Sequence, residues 1–287
     1  MTVKEKAYAK INISLDVVGR RPDGYHEMIM PMQTVSLCDE LTIRFEGDSI
    51  RARTNLRYVP CDERNLAVRA ASAYLREIGE EKQGLLLELD KRIPVGAGMG
   101  GGSADAAAVL RALNRAYGDR LSRDELHALA DEIGSDVAFC LLGGTMLATG
   151  RGETLSPLPP LPPCRIVIVK PGFSISTPEL FKKLDQAPIR MHPDTAGLLG
   201  ALEQGDLQGV CRRLYNVFED VDDRRMRTIR QIKGSLLDGG ALGAVMTGTG
   251  SAVFGLFDDA GAAARCSAAM RKDYGFSCVA EAVGTLL

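Results

Sequence analysis

Five glycines fall within seven consecutive positions of the chain. They are Gly96, Gly98, Gly100, Gly101 and Gly102. Glycine lets the backbone adopt positive φ and approach a ligand closely, and we expect such a φ at Gly101. The Ala-rich stretch that starts at Ser103 predicts a helix whose first N–H groups and positive dipole end face this loop. The pattern therefore predicts a site for phosphate groups, with a flexible turn as the simpler structural alternative.

Two common phosphate-binding motifs differ from this loop. A P-loop requires lysine directly after its last glycine, and no lysine stands there, which excludes that class. The spacing Gly96-x-Gly98-x-x-Gly101 does satisfy the dinucleotide fingerprint, which on its own is weak. A dinucleotide fold needs a strand after the loop helix, whereas residues 121–133 have the pattern of a second helix. NAD binding is therefore disfavoured.

Two charged residues could complete a phosphoryl-transfer site. Asp136 follows Gly134-Ser135 at the predicted start of an apolar helix, where it could orient an acceptor hydroxyl or merely cap the helix. Lys10 lies in an otherwise apolar strand, where its side chain could face a site or point outward to solvent. The residue pattern alone leaves both pairs of alternatives open.

The overall composition fits a folded chain of 287 residues, with 45% hydrophobic and 25% charged residues. These values exclude a disordered or fibrous protein and allow one large domain or two medium ones. The net charge of −2 gives no electrostatic footprint for nucleic acid or an anionic membrane. No apolar run approaches the roughly 18 residues needed to span a bilayer, and the N-terminus lacks a signal-peptide pattern. We therefore expect the chain to stay in the cytoplasm.

The cysteines and histidines give little support for a metal centre. Seven cysteines are present, an odd number without a C-x-x-C pair, and the three histidines lie far apart in sequence. A disulfide framework or a zinc site is therefore not expected.

Hydrophobic periodicity predicts a mixture of strands and grouped helices, hence the α+β class. In the N-terminal half, predicted strands cover Ala7–Val18, Glu40–Phe45, Ser49–Thr54, Gly84–Ile93 and Gly144–Thr149. Predicted helices follow Asn65 and the glycine loop, and cover Leu121–Ile133 and Ser135–Leu142. After the proline-rich segment 156–164 we expect a strand, three or four helices, two strands, a helix and a last strand. That segment is interpreted as a stiff connector, with a polyproline ligand as the alternative.

Two glycine motifs resemble those of the GHMP small-molecule kinases. PVGAGMGGGSADAA resembles their second motif and TGTGSAVFG their third. One branch, which phosphorylates a cytidine diphosphate-linked methylerythritol, is matched in order along the whole chain. The matching segments are AKIN, RRPDGYHE, DERNLAVRA, DKRIPVGAGMGGGS, GSDVAF, PGFSISTPELF and TGTGSAVF. The chain departs from the branch at Ala104, where a second serine is common.

The resemblance implies a two-domain α+β fold of the GHMP kinase type. It implies an N-terminal ATP-binding domain at 1–155, like domain 2 of ribosomal protein S5, a linker at 156–164 and a ferredoxin-like domain at 165–287. The implied reaction is phosphorylation of the substrate's 2-hydroxyl by ATP with Mg²⁺, in the non-mevalonate route to isoprenoid precursors. The implied partner is this small molecule, with neither nucleic acid nor membrane.

The resemblance also implies roles for individual residues. Asp136 would act on the acceptor hydroxyl, and Lys10 beside it would stabilise negative charge there. The implied substrate contacts are Asn12, Tyr25, His26, Thr177 and Phe181, with Tyr25 and Phe181 stacking on cytosine and His26 hydrogen-bonding it. The implied ATP contacts are Asn65, Lys91, Pro94, Val95, Gly96, Ala97, Gly98, Met99, Gly100, Gly101, Gly102, Ser103 and Ala104.

Two other functions remain open at this stage. A sister GHMP kinase would act on another small alcohol such as homoserine or mevalonate, and the DGYHE segment together with Phe181 argues against it. A non-catalytic nucleotide-binding or regulatory protein is the second alternative. The presence of both Lys10 and Asp136 argues against that class.

Overall fold

One 20-residue strand organises the first of two sheets. The computed structural model describes residues 1–186, 189 and 191–287. Its first sheet has eight strands. They are β1 (Thr2–Asn12), β2 (Ser14–Arg20), β3 (His26–Phe45), β4 (Ile50–Thr54), β5 (Leu85–Asp90), β6 (Thr145–Gly150), β7 (Thr154–Pro157) and β9 (Tyr215–Asn216). Strand β3 pairs antiparallel with β2 and β6 near its start, with β1 from Met32 to Arg44, and with β5 at its end.

Four helices accompany this sheet. They are α1 (Leu66–Glu77), α2 (Gly101–Ala116), α3 (Arg123–Ile133) and α4 (Ser135–Leu142). Helix α2 is buried along most of its length because its alanines allow close packing against β1 and against α1 and α4. The Asn65 side chain caps α1 by accepting from Ala67 N at 2.9 Å. Ser122 and Glu125 form a capping box at α3, as expected from the sequence.

The second sheet has four antiparallel strands. They are β8 (Arg165–Lys170), β10 (Gly243–Met246), β11 (Val253–Phe257) and β12 (Phe276–Ala280). Their order across the sheet is β10-β11-β8-β12. The helices of this region are α5 (Thr177–Leu184), α6 (Thr195–Glu203), α7 (Leu207–Cys211), α8 (Met226–Asp238) and α9 (Ala260–Tyr274), with a 3₁₀ turn at Val217–Asp220. This topology is ferredoxin-like, so the expected α+β class and C-terminal topology are confirmed.

Several segments of the described chain link its two halves. Strand β9 pairs in parallel with β2 through Ser14 and Tyr215. The C-terminal tail lies along the first sheet, where Ser36 N donates to Glu281 O at 2.9 Å. In the proline-rich connector Leu161 is buried, and its N–H donates to Thr145 Oγ1 at 3.2 Å. The boundaries at 155 and 165 stay a prediction, and these contacts cross them.

Two strand predictions needed correction. The predicted strand Ala7–Val18 is two strands that meet at Ile13, whose N–H donates to Pro31 O at 2.8 Å. The predicted strand Glu40–Phe45 is only the end of β3. The earlier part of β3 escaped detection because it contains Pro31 and, being buried on both faces through its middle, lacks polar alternation. Within the described residues, no helix combines the length and apolar character needed to cross a bilayer.

The side chain of Asn216 ties β9 to the third glycine motif. Its Nδ2 donates to Met246 O and Gly248 O, both at 2.8 Å, and its Oδ1 accepts from Phe218 N at 3.0 Å. Asn216→Ala leaves these buried groups unpaired and should lower the free energy of unfolding by roughly 2–4 kcal/mol. Urea denaturation measures this loss. Gln204→Ala, at an exposed helix end, is the control and should change stability by less than about 0.5 kcal/mol. Equal stability of the two variants would show that the hydrogen bonds of Asn216 do not stabilise the fold.

Candidate active site

The two glycine motifs contact each other directly. Thr247, in the loop after β10, donates from Oγ1 towards Gly98 O at 3.3 Å and accepts from Asn12 N at 3.0 Å. Ala252 N donates to Ala97 O at 3.1 Å. A Cβ atom built on Gly98 would lie 2.3 Å from Thr247 O. Only glycine therefore allows the two backbones to approach this closely.

The first glycine loop leads into the uncapped start of α2. Gly96, Gly98 and Gly100 have φ of 65°, 75° and 68°. Gly100 is the N-cap, and no side chain caps the helix or places an acidic group in its first turn. The first N–H groups of α2 are therefore available to an anion. Gly101 is helical, so the expected positive φ at this residue was wrong and the left-handed conformation belongs to Gly100.

A cavity of about 360 Å³ adjoins this loop. Its walls include the whole stretch from Ile93 to Ser103, which brings together nearly all of the residues expected to contact ATP. Tyr58, Val59 and Pro60 form another part of the wall. The cavity therefore joins the uncapped start of α2 to a partly apolar wall.

Of the three other expected ATP contacts, Ala104 is buried outside the cavity wall. Asn65 and Lys91 line the cavity but use their polar atoms internally. Asn65 donates from Nδ2 to Pro60 O at 2.8 Å besides capping α1. Lys91 Nζ donates to the buried carboxylates of Asp39 and Asp105. Burial would lower the pKa of Lys91, but the two carboxylates outweigh it and raise this pKa, while burial raises the pKa of Asp105. The charge of Lys91 is thus neutralised beneath the loop, and its contact with ATP stays a prediction.

Lys10 and Asp136 lie together beside the first glycine loop. Lys10 Nζ is 3.6 Å from Asp136 Oδ2 and donates to Asn12 Oδ1 at 2.8 Å. The Lys10 side chain is 5% exposed and that of Asp136 is 36% exposed. A Cβ atom on Gly100 would lie 3.2 Å from Lys10 Cγ, so the aliphatic part of the Lys10 side chain passes directly under the loop.

Asp136 occupies the first turn of α4 without capping it. The N-cap is Gly134, and no side chain makes a cap hydrogen bond there. The carboxylate is half-open to solvent and lies at the positive end of the helix dipole, which favours a negative charge. Its position suits contact with an acceptor hydroxyl better than a capping role.

His26 lies against an aromatic group formed by Phe181 and Phe218. The His26 ring stacks on Phe181 with centroids 4.5 Å apart, and Phe181 meets Phe218 edge-on at 4.9 Å. His26 Nε2 lies 2.7 Å from Asp185 Oδ1. Tyr25 is 57% exposed on the preceding loop. The expected base contacts His26 and Phe181 are thus brought together.

Three further residues of this region escaped the sequence analysis. The Arg151 guanidinium carbon lies 5.2 Å from the centroid of the Tyr25 ring. Thr249 Oγ1 lies 2.8 Å from Oγ1 of Thr177, an expected substrate contact at the start of α5. Asp185 is the partner of His26. Thr249 could have been found from its place inside the third glycine motif, whereas Arg151 and Asp185 carry no local motif.

Comparison with known proteins agrees with this geometry. The family model described as GHMP kinases N terminal domain matches residues 65–144, and that described as GHMP kinases C terminal matches residues 198–275. A relative from Clostridium kluyveri named 4-diphosphocytidyl-2-C-methyl-D-erythritol kinase is 42% identical over 94% of this chain and 96% of its own length. The chain belongs to the 4-diphosphocytidyl-2-C-methyl-D-erythritol kinase branch of the GHMP kinases. The resemblance noted from the motifs is confirmed.

Solved structures agree with this membership of the GHMP kinases. A crystal structure of 4-(cytidine 5′-diphospho)-2C-methyl-D-erythritol kinase matches with a TM-score of 0.83 at 36% identity, covering 98% of this chain and 99% of the other. A homoserine kinase from Cytophaga hutchinsonii matches with a TM-score of 0.77 at 23% identity, covering 99% and 95%. The second match shows the shared GHMP fold alone.

The contact between the glycine motifs of this GHMP kinase predicts the effect of a single methyl group. Gly98→Ala combines a positive φ with a collision at Thr247 O. It should lower the free energy of unfolding by at least about 1–3 kcal/mol and raise KM for ATP. Gly102→Ala is the matched control, because its Cβ would meet only Leu66 Cδ1 at 3.7 Å. Denaturation and ATP kinetics check both variants, and equal stability of the two would contradict the close approach.

The Lys10–Asp136 pair predicts non-additive kinetics. Asp136→Asn keeps the shape but removes the charge, and should lower kcat roughly 10²–10⁴-fold. Lys10→Ala should also lower kcat, and the double variant should lose less than the sum of the two barriers because the pair acts as a unit. A double-mutant cycle on kcat measures this coupling.

Asp124→Asn, in the first turn of α3, controls for loss of one acidic residue and should keep its turnover. Full additivity of the two losses would mean that Lys10 acts independently of Asp136. Near-normal turnover of Asp136→Asn would remove the carboxylate from the reaction altogether.

Proposed function

We propose that the chain transfers the γ-phosphoryl group of ATP to the 2-hydroxyl of 4-diphosphocytidyl-2-C-methyl-D-erythritol. The observation that carries this proposal is the Lys10–Asp136 pair, 3.6 Å apart, beside the uncapped N-terminus of α2. A phosphate cradle and a carboxylate at one place are what phosphoryl transfer to an alcohol requires. The names of the relatives supply the identity of the alcohol.

The two charged residues have distinct tasks in this reaction. The acceptor hydroxyl lies against Asp136, which orients it and takes its proton while the hydroxyl oxygen attacks the γ-phosphorus. The bond from that phosphorus to the bridging oxygen breaks and ADP leaves, so transfer is direct. Lys10 stabilises the negative charge that develops around the attacking oxygen. The glycine loop and the first N–H groups of α2 hold the remaining phosphates.

We treat Mg²⁺ as part of the substrate MgATP. Mg²⁺ is usually held by substrate phosphates, water and one or two protein oxygens rather than by a dedicated protein cage. The Ser103 hydroxyl, in the first turn of α2, is the side-chain oxygen of the loop that could join this coordination. The ion neutralises phosphate charge during transfer.

The substrate would extend from Asp136 towards the aromatic group. Asn12 is 1% exposed, and its Nδ2 has no hydrogen-bond partner among the described residues, so it is suited to bind an erythritol oxygen. Thr177 lies beside the third glycine motif, with its Oγ1 2.8 Å from Thr249 Oγ1. Tyr25 and Phe181 would stack on cytosine and His26 would hydrogen-bond it.

Two alternatives are less well supported. The fold is shared with homoserine kinase and therefore does not choose the alcohol, but the aromatic group around His26 suits a nucleobase. A non-catalytic role leaves the Lys10–Asp136 pair unexplained. We also propose that the protein acts in the cytoplasm on this small molecule without nucleic acid or membrane partners, in keeping with its net charge of −2.

A substrate panel tests the proposed function. The purified chain with MgATP should phosphorylate 4-diphosphocytidyl-2-C-methyl-D-erythritol, and ³¹P NMR should show a new phosphomonoester beside the intact diphosphate. Homoserine and mevalonate should give no product, and Asp136→Asn should be nearly inactive with all three alcohols. Preferential turnover of homoserine or mevalonate would support the sister-kinase alternative instead.

Tyr25→Ala separates the base site from the ATP site in the same assay. Loss of one stacking face should raise KM for the cytidine substrate by roughly 5- to 150-fold, corresponding to about 1–3 kcal/mol. KM for ATP should stay nearly constant. An equal rise of both values would contradict stacking of the base on Tyr25.

A further inference from the structure

Two of the three histidines face carboxylates through different ring nitrogens. His26 approaches Asp185 through Nε2 at 2.7 Å, whereas His192 approaches Asp16 through Nδ1 at 2.8 Å. The third, His127, lies on helix α3. A neutral imidazole carries one proton, and the nitrogen that faces a carboxylate must hold it as the donor. The two pairs therefore require opposite tautomers.

The surroundings of His26 hold its ring in one orientation. Phe181 stacks on the ring at an interplanar angle of 25°, and the ring is only 13% exposed. Phe181 and Asp185 lie four residues apart at the end of α5, so one helical turn supplies both the platform and the hydrogen-bond acceptor. With Nε2–H donated to Asp185, the remaining nitrogen, Nδ1, is an acceptor.

An acceptor at Nδ1 discriminates between pyrimidines. The edge of cytosine presents one donor, the exocyclic N4 amine, where uracil and thymine present the carbonyl oxygen O4. A lone pair on Nδ1 attracts the amine and repels the carbonyl. The opposite tautomer would present N–H to the base and reverse this preference.

We propose that Asp185 is a positioning residue that fixes the Nε2–H tautomer of His26 and thereby makes the site prefer a cytidine over a uridine diphosphate-linked substrate. The specificity role rests on the proposed function, because it requires the base to meet His26. The tautomer itself is a property of the free protein and does not depend on any substrate.

The first experiment observes the tautomers directly. The chain is labelled with ¹⁵N-histidine, and two-bond ¹H–¹⁵N correlations are recorded on the free protein near pH 8, where an ordinary histidine is neutral. The chain has three histidines, and substituting each one in turn assigns its signals. His26 should carry its proton on Nε2 and His192 on Nδ1. A His26 protonated on Nδ1, or on both nitrogens, overturns the proposal.

The second experiment links the tautomer to specificity. In Asp185→Ala the His26 spectrum should change to a mixture of tautomers, while His192 stays as it was. The ratio of kcat/KM for the cytidine substrate to that for its uridine counterpart should fall roughly 10-fold or more, because one charge-assisted hydrogen bond is lost. KM for ATP should stay nearly constant in Asp185→Ala. An unchanged ratio overturns the specificity role.

Asp238→Ala is the matched control. Asp238 is an exposed acidic residue at the end of α8, as Asp185 follows the end of α5, so both substitutions remove a negative charge from a helix C-terminus. The control should leave the tautomers and the substrate ratio unchanged. If the wild-type tautomers are as expected but neither pyrimidine substrate is phosphorylated, the proposed function and the specificity role fail, whereas the tautomer assignment stands.

Discussion

The close contact between Gly98 and Thr247 is the constraint on which the site depends. Thr247 is fully buried, and its hydroxyl accepts from Asn12 N on β1 while facing Gly98 O at 3.3 Å and Asn12 Oδ1 at 3.4 Å. One hydroxyl proton serves only one of these two acceptors at a time. Strand β1, the phosphate loop and the C-terminal sheet thus converge on one side chain. The same junction fixes β1, and with it Lys10, relative to the loop.

Two lysines under the same loop have opposite surroundings, which explains their different roles. Lys91 is enclosed between two buried carboxylates, and its charge is used to hold β5, β3 and α2 together. Lys10 is equally buried, but its nearest hydrogen-bond partner is the neutral amide of Asn12, and the carboxylate of Asp136 lies further away and remains partly exposed. The charge of Lys10 is therefore less fully neutralised within the protein than that of Lys91.

Sequence reasoning succeeded where the determinant is local and failed where it is distant. Asn65 and the Ser122–Glu125 box were found because a cap and its acceptor lie within three residues. The ion pairs of Lys91 were not predicted, because their carboxylates lie 52 and 14 residues away in sequence.

The same distinction applies to the glycine loop and to the base site. The number of glycines predicted a phosphate loop, but only the backbone shows that Gly100 rather than Gly101 is left-handed. The partner of His26 lies 159 residues away in a segment without a motif, so sequence alone could not have indicated it.

The four helices beside the first sheet differ in how their N-termini are capped, and the difference separates stability from function. Helices α1 and α3 begin with side-chain caps, whereas α2 and α4 begin at Gly100 and Gly134 with none. A glycine N-cap costs roughly a few tenths of a kcal/mol relative to Ser, Thr, Asn or Asp, so these two helices are slightly less stable than they could be. Helix α2 begins at the first glycine loop, and α4 carries Asp136 in its first turn. The positive ends of these helices favour negative charge, which in the proposed reaction develops on the transferred phosphoryl group and on the Asp136 carboxylate. The absence of caps at these two positions is therefore better explained by binding and catalysis than by folding.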